Sequence, residues 1–142
     1  DESTVLSLAD TGAHCGVLCD ASIPTQMLSY YVRDRERGHR FRLEDAVKMQ
    51  TLETARCVGL EDRGTLEVGM KADLNLIDFD ALQLEAPEIT FDLPAQGRRM
   101  FQGAKGYMAT IVSGEVIMEN GEYTGAVPGA LIRGMRPAPA AA

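Results

Sequence analysis

The spacing of apolar residues changes its period near Gly64, which limits this chain to a helical first part and an extended second part. Before Gly64, Met27, Leu28, Tyr31 and Val32 recur at helical spacing, with Ser22 as a candidate N-cap and Pro24 in the first turn. Gly38 is expected to end that helix. A second helix is expected from Leu43, with Glu44 and Asp45 at its positive end and Ala46, Val47 and Met49 turned inward. Thr51 reads as the cap of a third, Leu52 to Val58, closed by Gly59, with Leu52, Ala55 and Val58 on one face. Tyr30, Tyr31, Met27 and Met49 read as core.

After Gly64 apolar and polar residues alternate. Thr65 to Val68 and Ala72 to Asp78 predict two short strands around a turn at Gly69, and Tyr107 to Val112 and Glu115 to Glu119 predict two more around Ser113-Gly114. Asn120-Gly121 is a type I′ hairpin signal ahead of Glu122. Residues 86–106, punctuated by Pro87, Pro94, Gly97, Gly103 and Gly106, read as a long loop with at most one brief strand. The stretch 135–142, rich in proline and alanine, is expected to be a disordered tail.

With 142 residues and 45% hydrophobic content, the chain can bury a core, but it falls short of the roughly 200 residues of a complete (β/α)8 barrel. Its net charge of −7 argues against nucleic acid and anionic membrane as partners. Arg33, Arg35 and Arg37 alternate with Asp34 and Glu36 and read as a solvated helix end. No apolar run approaches the roughly 18 residues of a membrane span, and Asp1-Glu2-Ser3 is unlike a signal peptide, so a cytoplasmic location is expected. An N-terminus that opens straight into a strand suggests a piece of something longer. Cys15, Cys19 and Cys57 have no framework spacing and are expected as reduced thiols. His14-Cys15 and Cys19-Asp20 are metal-ligand types, but the second half of a four-ligand zinc site is missing.

The chemistry concentrates in Leu6-Ser7-Leu8-Ala9-Asp10-Thr11-Gly12-Ala13-His14. Apolar Leu6 and Leu8 predict a buried strand that delivers a carboxylate to its carboxyl end, where α/β architectures place their reactive side chains. The same residues also suit a plain turn, since Asp tolerates turn geometry and Gly12 supplies positive φ.

Four elements then occur in order: the strand ending at Asp10-Thr-Gly-Ala-His14; Thr54-Ala55-Arg56 followed by Gly59-Leu60; Gly64-Thr-Leu66-(x2)-Gly69-Met-Lys71-Ala72-Asp73-Leu74; and Thr110-Ile-Val112-Ser-Gly114-Glu-Val116. Together they resemble the C-terminal part of an amidohydrolase-superfamily enzyme, closest to the N-acyl-D-amino-acid deacylase (D-aminoacylase) group. The resemblance implies an α/β fold: the last strand and closing helices of a metal-dependent (β/α)8 barrel over residues 1–62, then the return half of a small β-sandwich over 63–134. It implies structural roles for the elements around Asp73 and Ser113. It also implies that Asp10 stands at the metal, zinc in this group, as a ligand and as general base and then general acid on metal-bound water, and that His14 lines the pocket for a small-molecule amide substrate.

The family's first-strand His-x-His pair and later histidines have no counterpart here, where only His14 and His39 occur. The chain alone is therefore expected to be catalytically incomplete, needing the N-terminal barrel portion from the same or a partner chain. Val17 to Thr25 also lacks the arginine that D-aminoacylase-like enzymes use for the substrate carboxylate. A catalytically silent binding or oligomerisation module is the alternative, since uncovered strand edges and apolar faces favour association.

Overall fold

A computed structural model of the chain describes residues 4–6, 16–17 and 20–139. The expected strand ending at Asp10 therefore lies almost wholly outside the described residues. From Asp20 onward the chain forms a helical part and then an antiparallel β part, a mixed α and β architecture in which no sheet closes on itself among the described residues.

The first helix forms as a continuous run in three geometries. A 3₁₀ turn, Asp20–Ser22, leads into α1, Ile23–Gln26, with Pro24 in its first turn as expected. Because the turn is already helical, Ser22 has helical dihedrals, not those of a side-chain cap. The run then widens into a π-helix, Met27–Asp34, whose last bond is Arg35 N–H to Tyr30 O at 2.8 Å. It stops there, before Gly38, because Arg35 turns to extended dihedrals. Met27 and Leu28 are buried, whereas Tyr30 and Tyr31 are largely exposed, packed edge to face on each other with the Arg35 guanidinium over Tyr31. The tyrosines are thus surface residues, contrary to expectation.

Helix α2, Leu43–Gln50, begins where expected, with Glu44 in its first turn. The Glu44 backbone N–H, and then Arg42, hold its carboxyl below the usual range. Ala46 is fully buried and Met49 packs on the core, but Val47, one position round from Ala46, faces out. Helix α3, Leu52–Cys57, follows after Thr51, whose hydroxyl donates back to Val47 O at 2.8 Å instead of capping forward. Its end is a Schellman motif: Leu60 N–H bonds Ala55 O at 2.8 Å and Gly59 N–H bonds Arg56 O at 3.0 Å, with Gly59 at φ +72°. Of the expected face, Ala55 is buried and Val58 is 66% exposed.

Thr65 to Val68 is not a strand. Leu66 is 82% and Val68 98% exposed, so alternation there has no sheet against which to bury its apolar side. The strands are β1, Leu74–Ile77; β2, Gln83–Leu84; β3, Glu88–Leu93; β4, Gly97–Phe101; β5, Ala104–Lys105; β6, Tyr107–Val112; β7, Glu115–Glu119; and β8, Glu122–Tyr123. A four-stranded antiparallel sheet runs β1-β6-β7-β8, with β2-β5 and β3-β4 as separate pairs. Both expected two-residue turns form. Ser113-Gly114 and Asn120-Gly121 have positive φ at both positions, which matches the right-handed twist of the strands they join. The expected loop over 86–106 is instead mostly the β3-β4 hairpin, pairing Ile89 with Met100 and Thr90 with Arg99. Pro94 lies in a 3₁₀ turn between the strands, where its missing N–H breaks no ladder bond. Arg99 and Asp92 join across the hairpin at 2.6 Å.

The two parts share one core, Met27, Leu28, Ala46 and Leu82, with Leu6, Val32, Phe41, Met49, Ile77, Phe79 and Tyr107 around it. Gly106 makes this possible. At φ +94° it lies so close to the 78–82 turn that a Cβ would sit 2.6 Å from Leu82 Cα.

A polar joint fixes the loop after α3 to the sheet. The Asp73 carboxylate accepts from Arg63 Nη1 at 3.1 Å and from Ser113 N–H in the β6-β7 turn at 2.8 Å. Lys71 N–H bonds Asp62 O at 2.8 Å, its Nζ donates to Ser113 Oγ at 2.7 Å, and Gly114 N–H bonds Ala72 O at 2.9 Å. The Arg63 guanidinium lowers the Asp62 pKa, as Arg99 does for Asp92 and Arg33 for Asp34.

Two outcomes are expected in the full-length protein. Asp73→Ala removes the acceptor of the Ser113 amide and one of the two carboxylates paired with Arg63, and lowers unfolding stability by about 0.5–1.5 kcal/mol in urea titration. Asp92→Ala, which removes an exposed, solvent-screened pair on the hairpin, lowers it by less than Asp73→Ala does. Because Asp34, Asp62 and Asp92 have folded pKa values below their unfolded ones, their contribution is present above the unfolded value of about 3.9 and is lost as pH falls through the depressed folded values. Urea midpoints measured against pH should therefore drop below about pH 4, and less steeply in Asp62→Asn.

Candidate active-site motif and its frame

Asp10 and His14, with Cys15 and Cys19, fall outside the described residues. The structure does describe residues on either side of that stretch. Upstream, Leu6 packs against the core cluster. Downstream, the helix that begins at Asp20 is tied to the β part and to α2 by polar links at three positions.

In the first link, the hydroxyls of Thr25, buried in α1, and Tyr107, at the start of β6, share a hydrogen bond of 2.8 Å. In the second, Gln50 Nε2 reaches from α2 to Pro24 O at 3.2 Å. The third is Arg33. Its guanidinium donates to three backbone carbonyls of the turn between β1 and β2, Phe79 at 2.5 Å, Asp80 at 3.1 Å and Leu82 at 2.8 Å. It also pairs with Asp34 at 2.6 Å and lies over the Phe79 ring. The planar guanidinium fork suits this multiple attachment, which a lysine could not reproduce. Arg33 is therefore a clamp between helix and sheet, not part of a solvated helix end. Alternation with acidic residues hid this, because the carbonyls it serves are 46 to 49 positions away.

Other candidate residues do not converge. His39 stacks edge to face on Phe41 and offers its carbonyl to Arg35. Cys57 is an exposed free thiol on α3. Among the described residues no group of three or more His, Cys, Asp or Glu is placed to hold a metal ion. The ligand-type residues of the motif, Asp10, His14, Cys15 and Cys19, lie outside the described residues. The described residues therefore do not fit a zinc centre by themselves.

An open groove of about 530 Å³ lies beside β6, lined by Glu85, Phe101, Gln102, Tyr107, Thr110 and Met118. Its polar groups are already engaged within the chain. Glu85 pairs with Lys105 at 3.2 Å, Gln102 Nε2 donates to Glu85 O at 2.8 Å, and the Thr110 hydroxyl donates to Asn75 Oδ1 at 2.9 Å. The groove is accordingly a seam between strands. Among the described residues no helix is long and apolar enough to cross a membrane.

Comparison with known proteins places these observations. The chain is 36% identical over 99 residues to an allantoinase of Streptomyces avermitilis, covering 63% of this chain and 20% of that protein. It is 36% identical over 83 residues to a 5′-deoxyadenosine deaminase of Methanobrevibacter smithii, covering 56% and 18%. It is 40% identical over 78 residues to a 5-methylthioadenosine/S-adenosylhomocysteine deaminase of Symbiobacterium thermophilum, covering 54% and 17%. The chain thus spans a fifth or less of the length of these curated relatives. No solved structure matches it. The sequence model of the amidohydrolase family matches residues 4–118, from before the Asp10 motif through the Asp73 joint to β7, and the chain belongs to that family.

Proposed function

We propose that this chain is the C-terminal part of a metal-dependent amidohydrolase that hydrolyses non-peptide C–N bonds in small molecules. The observation that carries the reading is the family match over residues 4–118, a span that takes in both Asp10-Thr-Gly-Ala-His14 and the Gly64-to-Leu74 motif. An allantoinase and two deaminases among the relatives agree with a substrate that offers a C–N bond to break.

In this reading Asp10 accepts the proton of the attacking water and returns it to the departing nitrogen, the two-step use to which a single carboxylate is suited. His14 orients the loop and lines the substrate pocket. Zinc is the metal the reading calls for, held mostly by residues outside this chain, with Asp10 facing it. The last strand and closing helices of a (β/α)8 barrel, followed by the return half of a β-sandwich, are the architecture in which these roles meet. N-acyl-D-amino acids are one substrate class. The absence of arginine between Val17 and Thr25 leaves cyclic amides and ureides as others. We assign the assembled protein to the cytoplasm, with the N-terminal barrel portion as the necessary partner of this segment and an oligomer as the working state. A second reading, a catalytically silent binding module, is favoured only by the exposure of apolar side chains such as Leu66 and Val68.

In the full-length protein, Asp10→Asn is expected to lower kcat for C–N hydrolysis by about 10²- to 10⁴-fold while metal content, read by elemental analysis, stays near wild type. Unchanged turnover would remove Asp10 from the proton-transfer role. Absence of any metal and any hydrolysis in the wild-type protein would favour the silent module.

A further inference from the structure

Residues 135–139 return to the loop that carries the Gly64-to-Leu74 motif. Arg136 forms a parallel bridge with Leu60: its N–H bonds Gly59 O at 2.8 Å, and its carbonyl accepts Glu61 N–H at 2.7 Å. Met135 lies over Gly59, where an added Cβ would stand 2.8 Å from Met135 Cγ, and Pro139 meets Gly69 at 3.4 Å by the same measure. The Asp62 carboxyl, held low first by Arg63, is lowered further by the charge of Arg136. Residues 135–139 thus lie across the connection from α3 to β1 at two glycines whose φ values, +72° and +92°, set the local turns. Pro137 and Pro139 favour an extended strand with little freedom to lose on docking.

The attachment is slight for a structural element. It is a single bridge, and every residue from 131 to 139 is exposed. Beneath it, the Asp62, Arg63, Asp73, Lys71 and Ser113 joint is complete without any residue of 135–139. A segment held so lightly over a loop anchored independently can open while the rest stays folded.

We infer that residues 135–139 are a detachable strap, and that the Gly59-to-Gly69 loop is its docking cleft, so that strap binding and release set the order of the α3-to-β1 connection without disturbing the sheet. Recognition is of extended backbone at Leu60, with room for strap side chains made by Gly59 and Gly69. The cleft accordingly accepts the same sequence supplied as a separate peptide.

The test is amide hydrogen exchange on the full-length protein, with and without residues 135–139. Exchange at Glu61 should accelerate at least tenfold on their deletion, while Lys71, bonded to Asp62 O, and the β1-β6 amides keep their protection. A peptide of residues 133–139 added in excess should restore Glu61, and the same peptide with Arg136→Pro, which lacks the donor to Gly59, should not. Unchanged exchange at Glu61 would overturn the inference, because the bridge would then contribute nothing to order there. Loss of protection across the whole sheet would overturn it too, since the segment would then be part of the fold and not a strap.

Discussion

The Arg33 guanidinium, donating to three backbone carbonyls of the 79–82 turn, is the contact on which the union of the two parts depends. A turn that crosses a helix carries unpaired carbonyls into a partly dry seam, and each would weaken the packing if left without a donor. One side chain supplies that donor at three points, and Leu82, inside the same turn, can then be wholly buried against Met27 and Ala46. Gly106 lets the neighbouring backbone approach, and the Thr25 and Tyr107 hydroxyls close the seam at its other end. Core and clamp are mutually dependent: without the clamp the turn would drift, and without Leu82 there would be little to clamp.

The motif that most strongly carries the family resemblance is architectural. Asp73 ties Arg63 to the β6-β7 turn, and Gly64, at φ +92°, passes so near α3 that a Cβ would meet Leu52 Cα at 2.8 Å. Such requirements are geometric and independent of the reaction being catalysed. For that reason they carry no information on the substrate.

Legibility in the sequence followed how local each determinant was. The turns at Ser113-Gly114 and Asn120-Gly121 are settled by two residues apiece, and they and the strands beside them were readable. Pro24 and Gly59 marked helix boundaries for equally local reasons. The hairpin over Glu88 to Phe101 was not readable, because Pro94 and Gly97 look like loop punctuation until their place at its tip is known. Leu66 and Val68 alternate like a strand yet stay exposed, and the spacing of Val47, Val58 and the tyrosines does not choose which side of the apolar stripe is buried. Of the site, the sequence names Asp10 and His14 as candidates; the frame of Arg33, Thr25 and Tyr107 depends on contacts tens of residues apart, which periodicity cannot register.

The exposed apolar side chains also bear on how this polypeptide behaves in solution. Leu66, Val68 and Met135 stand on the surface of a chain with a net charge of −7, and at neutral pH mutual repulsion keeps such surfaces apart. Near the isoelectric point of this sequence, about 4.8, that repulsion vanishes while the exposed apolar side chains remain. Colloidal stability and fold stability would then fail over neighbouring intervals of acidity, so turbidity on acidification would reflect sticking between folded molecules before it reflects unfolding.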